Sequence, residues 1–408
     1  MPRLLFVSPR FLFPIDSGGK IRTTQVLRGM KGGAFEITLA SPLPAEPLER
    51  FAADLRSVSD RFVGWAPPKR GRLFPITRLR HLASRLPIPV ATDISAEGRK
   101  IVAAELAKRP EVVVFDFTHA AVLAPARLDS RSVLFTHNIE SEIFERHAKL
   151  ASNAVMRALW RDQLRKMLAF EGAALNRFDR VIAVSDRDQS AFEKKFGAKN
   201  VALIPTVVDL DYFRYVPPDS APRVVFLGSM DWIANIDAVE YFADEIWPAI
   251  VARRPDATMT VVGRNPPPSL VTKATRRLPG WSFTGFVDDV RPHVEGAAAF
   301  VVPLRIGGGT RLKIFEGMAM GTPVVSTSIG IEGLPATPGK HYLAADSAPG
   351  FADAVVRVLN EPELRTGLSR AAYDFVSEKF GVAAVARRFE AICLETLAMG
   401  AAAAAANG

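Results

Sequence analysis

Short, nearly all-apolar runs alternate with helix-length segments along the whole chain. In the first half the runs fall at residues 3–8, 36–40, 112–116, 132–137, 180–185 and 201–206. The second half repeats the rhythm at 223–228, 258–263, 281–286, 298–304, 323–328 and 341–345. Strands that are apolar on both faces belong to parallel sheets covered by crossover helices. Between the two sets, residues 215–222 read Tyr-Val-Pro-Pro-Asp-Ser-Ala-Pro, which sustains neither helix nor strand. The pattern predicts an α/β chain with a first domain over 1–216 and a second over 217–380. A helix over 381–400 is expected to pack back on the first domain, and an Ala-rich tail over 401–408 to fray.

Length and composition agree with this division. A chain of 408 residues is long for one core, and 48% hydrophobic with 23% charged residues is ordinary for a folded interior. The single cysteine, Cys393, lies in an apolar run and reads as core. No uncharged apolar stretch approaches the roughly 20 residues of a membrane span, so a cytoplasmic protein is expected. The net charge of +9 is partly local. Lys69, Arg70, Arg72, Arg78, Arg80 and Arg85 are interleaved with Leu73, Phe74, Ile76, Leu79, Leu82 and Leu86, with no acid among them. Two readings stand: residues 69–86 lie on an anionic membrane surface, peripheral on the cytoplasmic face of the inner membrane, or they form a solvated basic loop and helix.

The densest chemistry runs from Val301 to Gly333. A strand feeds Gly307, Gly308 and Gly309, and a helix then starts near Thr310 with Arg311, Lys313 and Glu316 in its first two turns. Open backbone amides at a helix start suit a diphosphate, and Arg311 and Lys313 add full charges. Glu316 suits the vicinal hydroxyls of a ribose; alternatively it pairs with Arg311 or Lys313 along the helix.

The string Glu-Gly-Met-Ala-Met-Gly-Thr-Pro-Val-Val from Glu316 to Val325 resembles the donor-site signature of the retaining family 4 glycosyltransferases. The resemblance implies a GT-B fold: two Rossmann-like, doubly wound parallel-sheet domains facing a cleft. It also implies transfer of a sugar from a nucleotide-diphosphate donor to a glycan or lipid-linked acceptor, with no metal or other cofactor. By the same resemblance Glu316 holds the donor ribose, and Gly308 to Thr310 lie against phosphate and sugar. Arg264, Phe286 and Val287 fall in segments similar to those that hold the base. Gly18 and Gly19 match a turn that approaches the donor from the first domain. His137 resembles the family's active-site histidine, and His119 is a rival for the acceptor side.

Two departures stand out. Where many members carry an Arg and a Lys, this chain reads Gly228-Ser229-Met230-Asp231-Trp232, leaving Ser229 as the donor-facing residue and the diphosphate to Arg311 and Lys313. The first glutamate of the family's pair is Gly308 here. Both features resemble a subgroup of bacterial exopolysaccharide sugar transferases. A sugar-nucleotide epimerase on the same fold, or a non-catalytic nucleotide-sugar-binding subunit, remains an alternative. Asp186-Arg187-Asp188 and Asp209-Leu210-Asp211 read as a helix cap and a turn and not as metal sites. Basic residues without regular aromatic interleaving argue against nucleic acid as a partner.

Overall fold

A computed structural model describes residues 1–67, 78–151, 153–306 and 312–406. The chain divides into two compact units, Met1–Val207 with Val385–Gly408, and Val208–Ala384. The division falls upstream of the proline-rich segment, because Val208 already donates its amide to the carbonyl of Phe380.

Unit 1 holds a seven-stranded parallel sheet in the order β3-β2-β1-β4-β5-β6-β7. The strands are β1 (Arg3–Val7), β2 (Glu36–Pro42), β3 (Arg61–Trp65), β4 (Val112–Asp116), β5 (Arg131–Phe135), β6 (Arg180–Ala183) and β7 (Val201–Leu203). Alternate residues go to opposite cores. Leu4, Phe6, Val112 and Val114 join one cluster, and Leu5, Val7, Val113 and Phe115 join the other. This is what a strand covered on both faces requires. Strand β3 was not expected from the sequence. It is an edge strand whose first four residues are exposed or only partly buried, so it lacks the apolar run that marks the others.

The last helix, Val382–Ala406, is continuous past the expected fraying point. Its Val385, Ala386, Phe389, Ile392 and Cys393 are buried in the same cluster as Leu4 and Phe6. Burial pushes the Cys393 thiol pKa up, which leaves it a packing residue.

Unit 2 holds a six-stranded parallel sheet in the order β10-β9-β8-β11-β12-β13. These are β8 (Arg223–Leu227), β9 (Thr258–Val262), β10 (Trp281–Gly285), β11 (Ala299–Val302), β12 (Val324–Ser326) and β13 (Leu343–Ala344). Both sheets are wound alike. Order runs outward one way from β1 and the other way from β4, and likewise from β8 and β11. Each unit therefore has a switch point at the carboxyl ends of its two central strands, where ligands of doubly wound sheets bind.

Candidate functional site

In unit 2 the carboxyl ends of β8, β9 and β10 present Ser229, Arg264 and Phe286 along one edge. Three close interactions join the turns after β8 and β9. Arg264 Nε lies 2.6 Å from Asp231 Oδ2 and 3.2 Å from Ser229 Oγ, and Asn265 Nδ2 donates to Asp231 Oδ1 at 2.8 Å. Hydrogen bonds from Asn265 and Ser229, joined by that of Arg264, lower the Asp231 pKa. Asn235 Nδ2 donates to the Ser229 carbonyl at 2.7 Å and fixes the turn. Gly263 is required beside it: its φ is +156°, and a Cβ would lie 1.9 Å from the Gly228 carbonyl oxygen. Phe286 is 71% exposed, while Val287 is partly buried against the core.

Across the switch point, helix Leu312–Ala319 follows β11. Lys313 Nζ donates to the Leu227 carbonyl at 3.2 Å, so its charge sits at the end of β8. Glu316 lies one turn further on, partly buried. Burial pushes its carboxyl pKa up, and the Lys313 charge only partly offsets this. Among the described residues no donor hydrogen-bonds its carboxylate. At Gly317, where the family string has alanine, a Cβ would sit 3.3 Å from the Phe300 ring. Gly307, Gly308, Gly309, Thr310 and Arg311 lie outside the described residues, as do Lys69, Arg70 and Arg72.

Unit 1 fills the corresponding place differently. Asp116, fully buried at the end of β4, accepts from Ser8 Oγ at 3.1 Å, from Thr23 Oγ1 at 3.1 Å and from His137 Nε2 at 2.7 Å. His137 is 6% exposed and stacks on Phe117 at 4.1 Å. Its Nδ1 lies 3.3 Å from Arg22 Nη1. Burial lowers the His137 pKa, with Asp116 opposing. Helix Gly18–Met30 carries Gly18 and Gly19 at its start, with no side-chain cap from Ser17. A Cβ on Gly19 would lie 2.5 Å from the Phe117 ring, so glycine lets Phe117 reach between that helix and His137.

His119 is set apart from this network. Its Nδ1 lies 3.4 Å from Asp93 Oδ2 and its Nε2 3.7 Å from Glu140 Oε2. The helix start beside it is already occupied, since the buried Glu171 carboxylate accepts the amides of Glu140 at 2.7 Å and Ser141 at 3.0 Å. The two Asp-x-Asp strings are local structure. Ser185 Oγ accepts the Asp188 amide as a helix cap, and Asp209 Oδ1 accepts the amides of Asp211 and Tyr212.

Asp116, Arg22, Thr23, Asp231 and Asn265 were not singled out from the sequence. A usable signal existed for Asp116, a carboxylate ending the otherwise apolar Val-Val-Val-Phe-Asp strand.

Two family descriptions match the chain. Residues 17–212 match Glycosyltransferase Family 4, and residues 221–361 match Glycosyl transferases group 1. An uncharacterized 44.6 kDa protein in the cps region of Klebsiella pneumoniae is 21% identical over 64% of this chain and 68% of its own length. A phosphatidyl-myo-inositol mannosyltransferase of Mycolicibacterium smegmatis is 31% identical over 46% of the chain, and the match spans 50% of that protein. Among solved structures, sucrose-phosphate synthase from Thermosynechococcus elongatus superposes with a TM-score of 0.61 at 17% identity, covering 97% of this chain and 100% of that one. Anabaena Alr3699/HepE, in complex with UDP and glucose, gives 0.58 at 15% identity over 98% and 100%.

Proposed function

Since the chain belongs to the GT-B glycosyltransferases, with family 4 and group 1 sequences matched in its two units, we propose that it moves a sugar from a nucleoside-diphosphate donor to a glycan or lipid-linked acceptor of polysaccharide assembly. The observation that carries the donor assignment is Glu316. Its partly buried carboxylate lies at the switch point of unit 2, where burial raises its pKa, and receives no donor from the described residues. Paired ribose hydroxyls supply the donors such a group needs. UDP is the first nucleotide to test, because Anabaena Alr3699/HepE binds it on the same fold.

Charge growing on the leaving diphosphate is met by Arg311, Lys313 and the amides of Gly307 to Thr310, in place of a metal ion. Gly18 and Gly19, at the uncapped start of helix Gly18–Met30, are proposed to meet the donor from the family 4 resemblance alone. Ser229, Arg264, Phe286 and Val287 line the strand ends where the base would lie. Retention at the anomeric carbon is proposed from the family 4 resemblance alone.

The acceptor is proposed to be lipid-linked and reached at an anionic membrane surface. Arg80, Leu82 and Arg85 are exposed, and Lys166 Nζ pins the Leu82 carbonyl to helix Ala154–Leu175 at 2.7 Å. That helix also exposes Val155 and Met156 beside Arg157, Arg161 and Arg165. Among the described residues no helix is long and apolar enough to cross a membrane.

The experiment incubates the protein with labelled UDP- and GDP-sugars, with and without lipid-linked acceptors. Label moving to an acceptor supports the reading. Rearrangement of the sugar without any acceptor indicates an epimerase, and binding with no turnover a nucleotide-sugar-binding subunit.

A further inference from the structure

We infer that Arg22 is a positioning residue that holds His137 as the neutral tautomer protonated on Nε2, so that the ring offers neither charge nor a free nitrogen to the donor sugar. The inference deepens the transferase reading and rests on it for its functional meaning. A guanidinium only donates and stays protonated in proteins. With Arg22 Nη1 at 3.3 Å, His137 Nδ1 must therefore accept. The proton then belongs on Nε2, which lies 2.7 Å from Asp116 Oδ1 and 3.5 Å from Thr23 Oγ1.

The ring faces are also occupied. Phe117 stacks at 4.1 Å and Phe135 packs tilted at 4.4 Å, which holds the imidazole in place. Asp116 alone asks only for a proton on Nε2 and would accept equally well from a doubly protonated ring, so it is Arg22 that keeps Nδ1 unprotonated and the ring neutral. The charged groups facing His137 are Asp116 from the end of β4, Arg22 from helix Gly18–Met30 and Glu140 from helix Glu140–Leu150. Burial lowers the Arg22 pKa, and Asp188 from helix Asp186–Phe196, with Asp116, opposes this and keeps the guanidinium charged. Without Arg22 the ring would be left between carboxylates, which favour its cation. In the transferase this arrangement keeps unit 1 uncharged at the histidine while the leaving diphosphate is stabilised elsewhere, and it makes His137 a shaped wall rather than a proton donor.

The test records long-range proton–nitrogen imidazole spectra of the full-length 15N-labelled chain between about pH 5.5 and 8.5, the range over which an ordinary histidine titrates. His137 is one of six histidines and is assigned by its loss in His137→Gln. The wild-type ring should show the neutral Nε2–H pattern throughout. Arg22→Met should make the ring titrate, with a midpoint at least about one unit higher, and Arg22→Lys should restore part of the wild-type behaviour. Asp116→Asn should keep the Nε2–H tautomer, because Arg22 still requires Nδ1 as an acceptor.

A cationic or Nδ1–H ring in the wild type, or an unchanged ring in Arg22→Met, overturns the inference. Should Arg22→Met not fold, Asp116→Asn decides alone: a switch to Nδ1–H there assigns the tautomer to Asp116 and overturns the role of Arg22. With sugar transfer as a second readout, Arg22→Met should add a pH step to kcat while KM stays level. Failure of the transferase reading removes only this kinetic arm and leaves the spectra to judge Arg22.

Discussion

The two sheets are wound alike, yet the groups at their switch points are in opposite states. In unit 1 the Asp116 carboxylate is saturated by Ser8, Thr23 and His137, and the histidine's other nitrogen is taken by Arg22. In unit 2 the partly buried Glu316 carboxylate lies beside Lys313 and accepts nothing from the described residues. A satisfied buried network specifies structure, whereas a partly buried carboxylate with no protein donor is open to a ligand. Changes at the end of β4 should therefore cost stability, and changes after β11 should cost binding and turnover.

The largest expected effect is on turnover. Arg311→Ala with Lys313→Ala should lower sugar transfer by roughly two to three orders of magnitude, the loss typical when stabilisation of a developing anion is removed. Circular dichroism and melting should stay near wild type. Loss of fold instead of rate would erase the contrast between the units.

Next comes Asp116→Ala, which leaves the hydroxyls of Ser8 and Thr23 and a histidine N–H unpaired in a buried place. Denaturant unfolding should show a loss of about 1–3 kcal/mol for each group that stays unsatisfied. UDP affinity measured under folding conditions should hold.

Acid sharpens the comparison, because the two sites respond in different quantities. His137 has a lowered folded pKa, so near 6.5 the unfolded chain binds the extra proton and the folded chain does not. Its contribution is present above that value and is lost as pH falls below it, by up to about 1.4 kcal/mol per pH unit. Arg22→Met, by raising the folded pKa, should flatten this slope. Glu316 has a raised folded pKa, and ribose hydroxyls favour the ionised carboxylate. UDP affinity should therefore weaken as pH falls through that raised value, and calorimetry across pH reads it directly.

The smallest effect is Gly317→Ala, which restores the family string but places a Cβ 3.3 Å from the Phe300 ring. Melting should report less than about 1.5 kcal/mol of destabilisation, typical of slight overpacking that neighbours can absorb.

What could be read in advance follows the same division. The string from Glu316 to Val325 is contiguous, so its helix, its turn at Gly321 and its strand were legible as one motif. The Asp116 network draws on β1, helix Gly18–Met30, β4 and the residues after β5, and nothing local in the sequence joins them. His137 stood out from the sequence without the partners that occupy its nitrogens. The turn after β8 was legible only as a departure. In that turn Asp231 is held by Arg264 and Asn265, a set assembled across two strand ends. Strands buried on both faces were plain, while β3 was hidden because an edge strand need not be apolar.

The central claim is that Glu316 receives the ribose hydroxyls, and a double-mutant cycle measures it most directly. UDP and 2′,3′-dideoxy-UDP are titrated calorimetrically into the wild type and into Glu316→Ala. The account predicts that the wild type discriminates between the nucleotides by about tenfold or more, the worth of hydrogen bonds to a charged group, and that Glu316→Ala binds both equally weakly. Equal discrimination by the two proteins would contradict it.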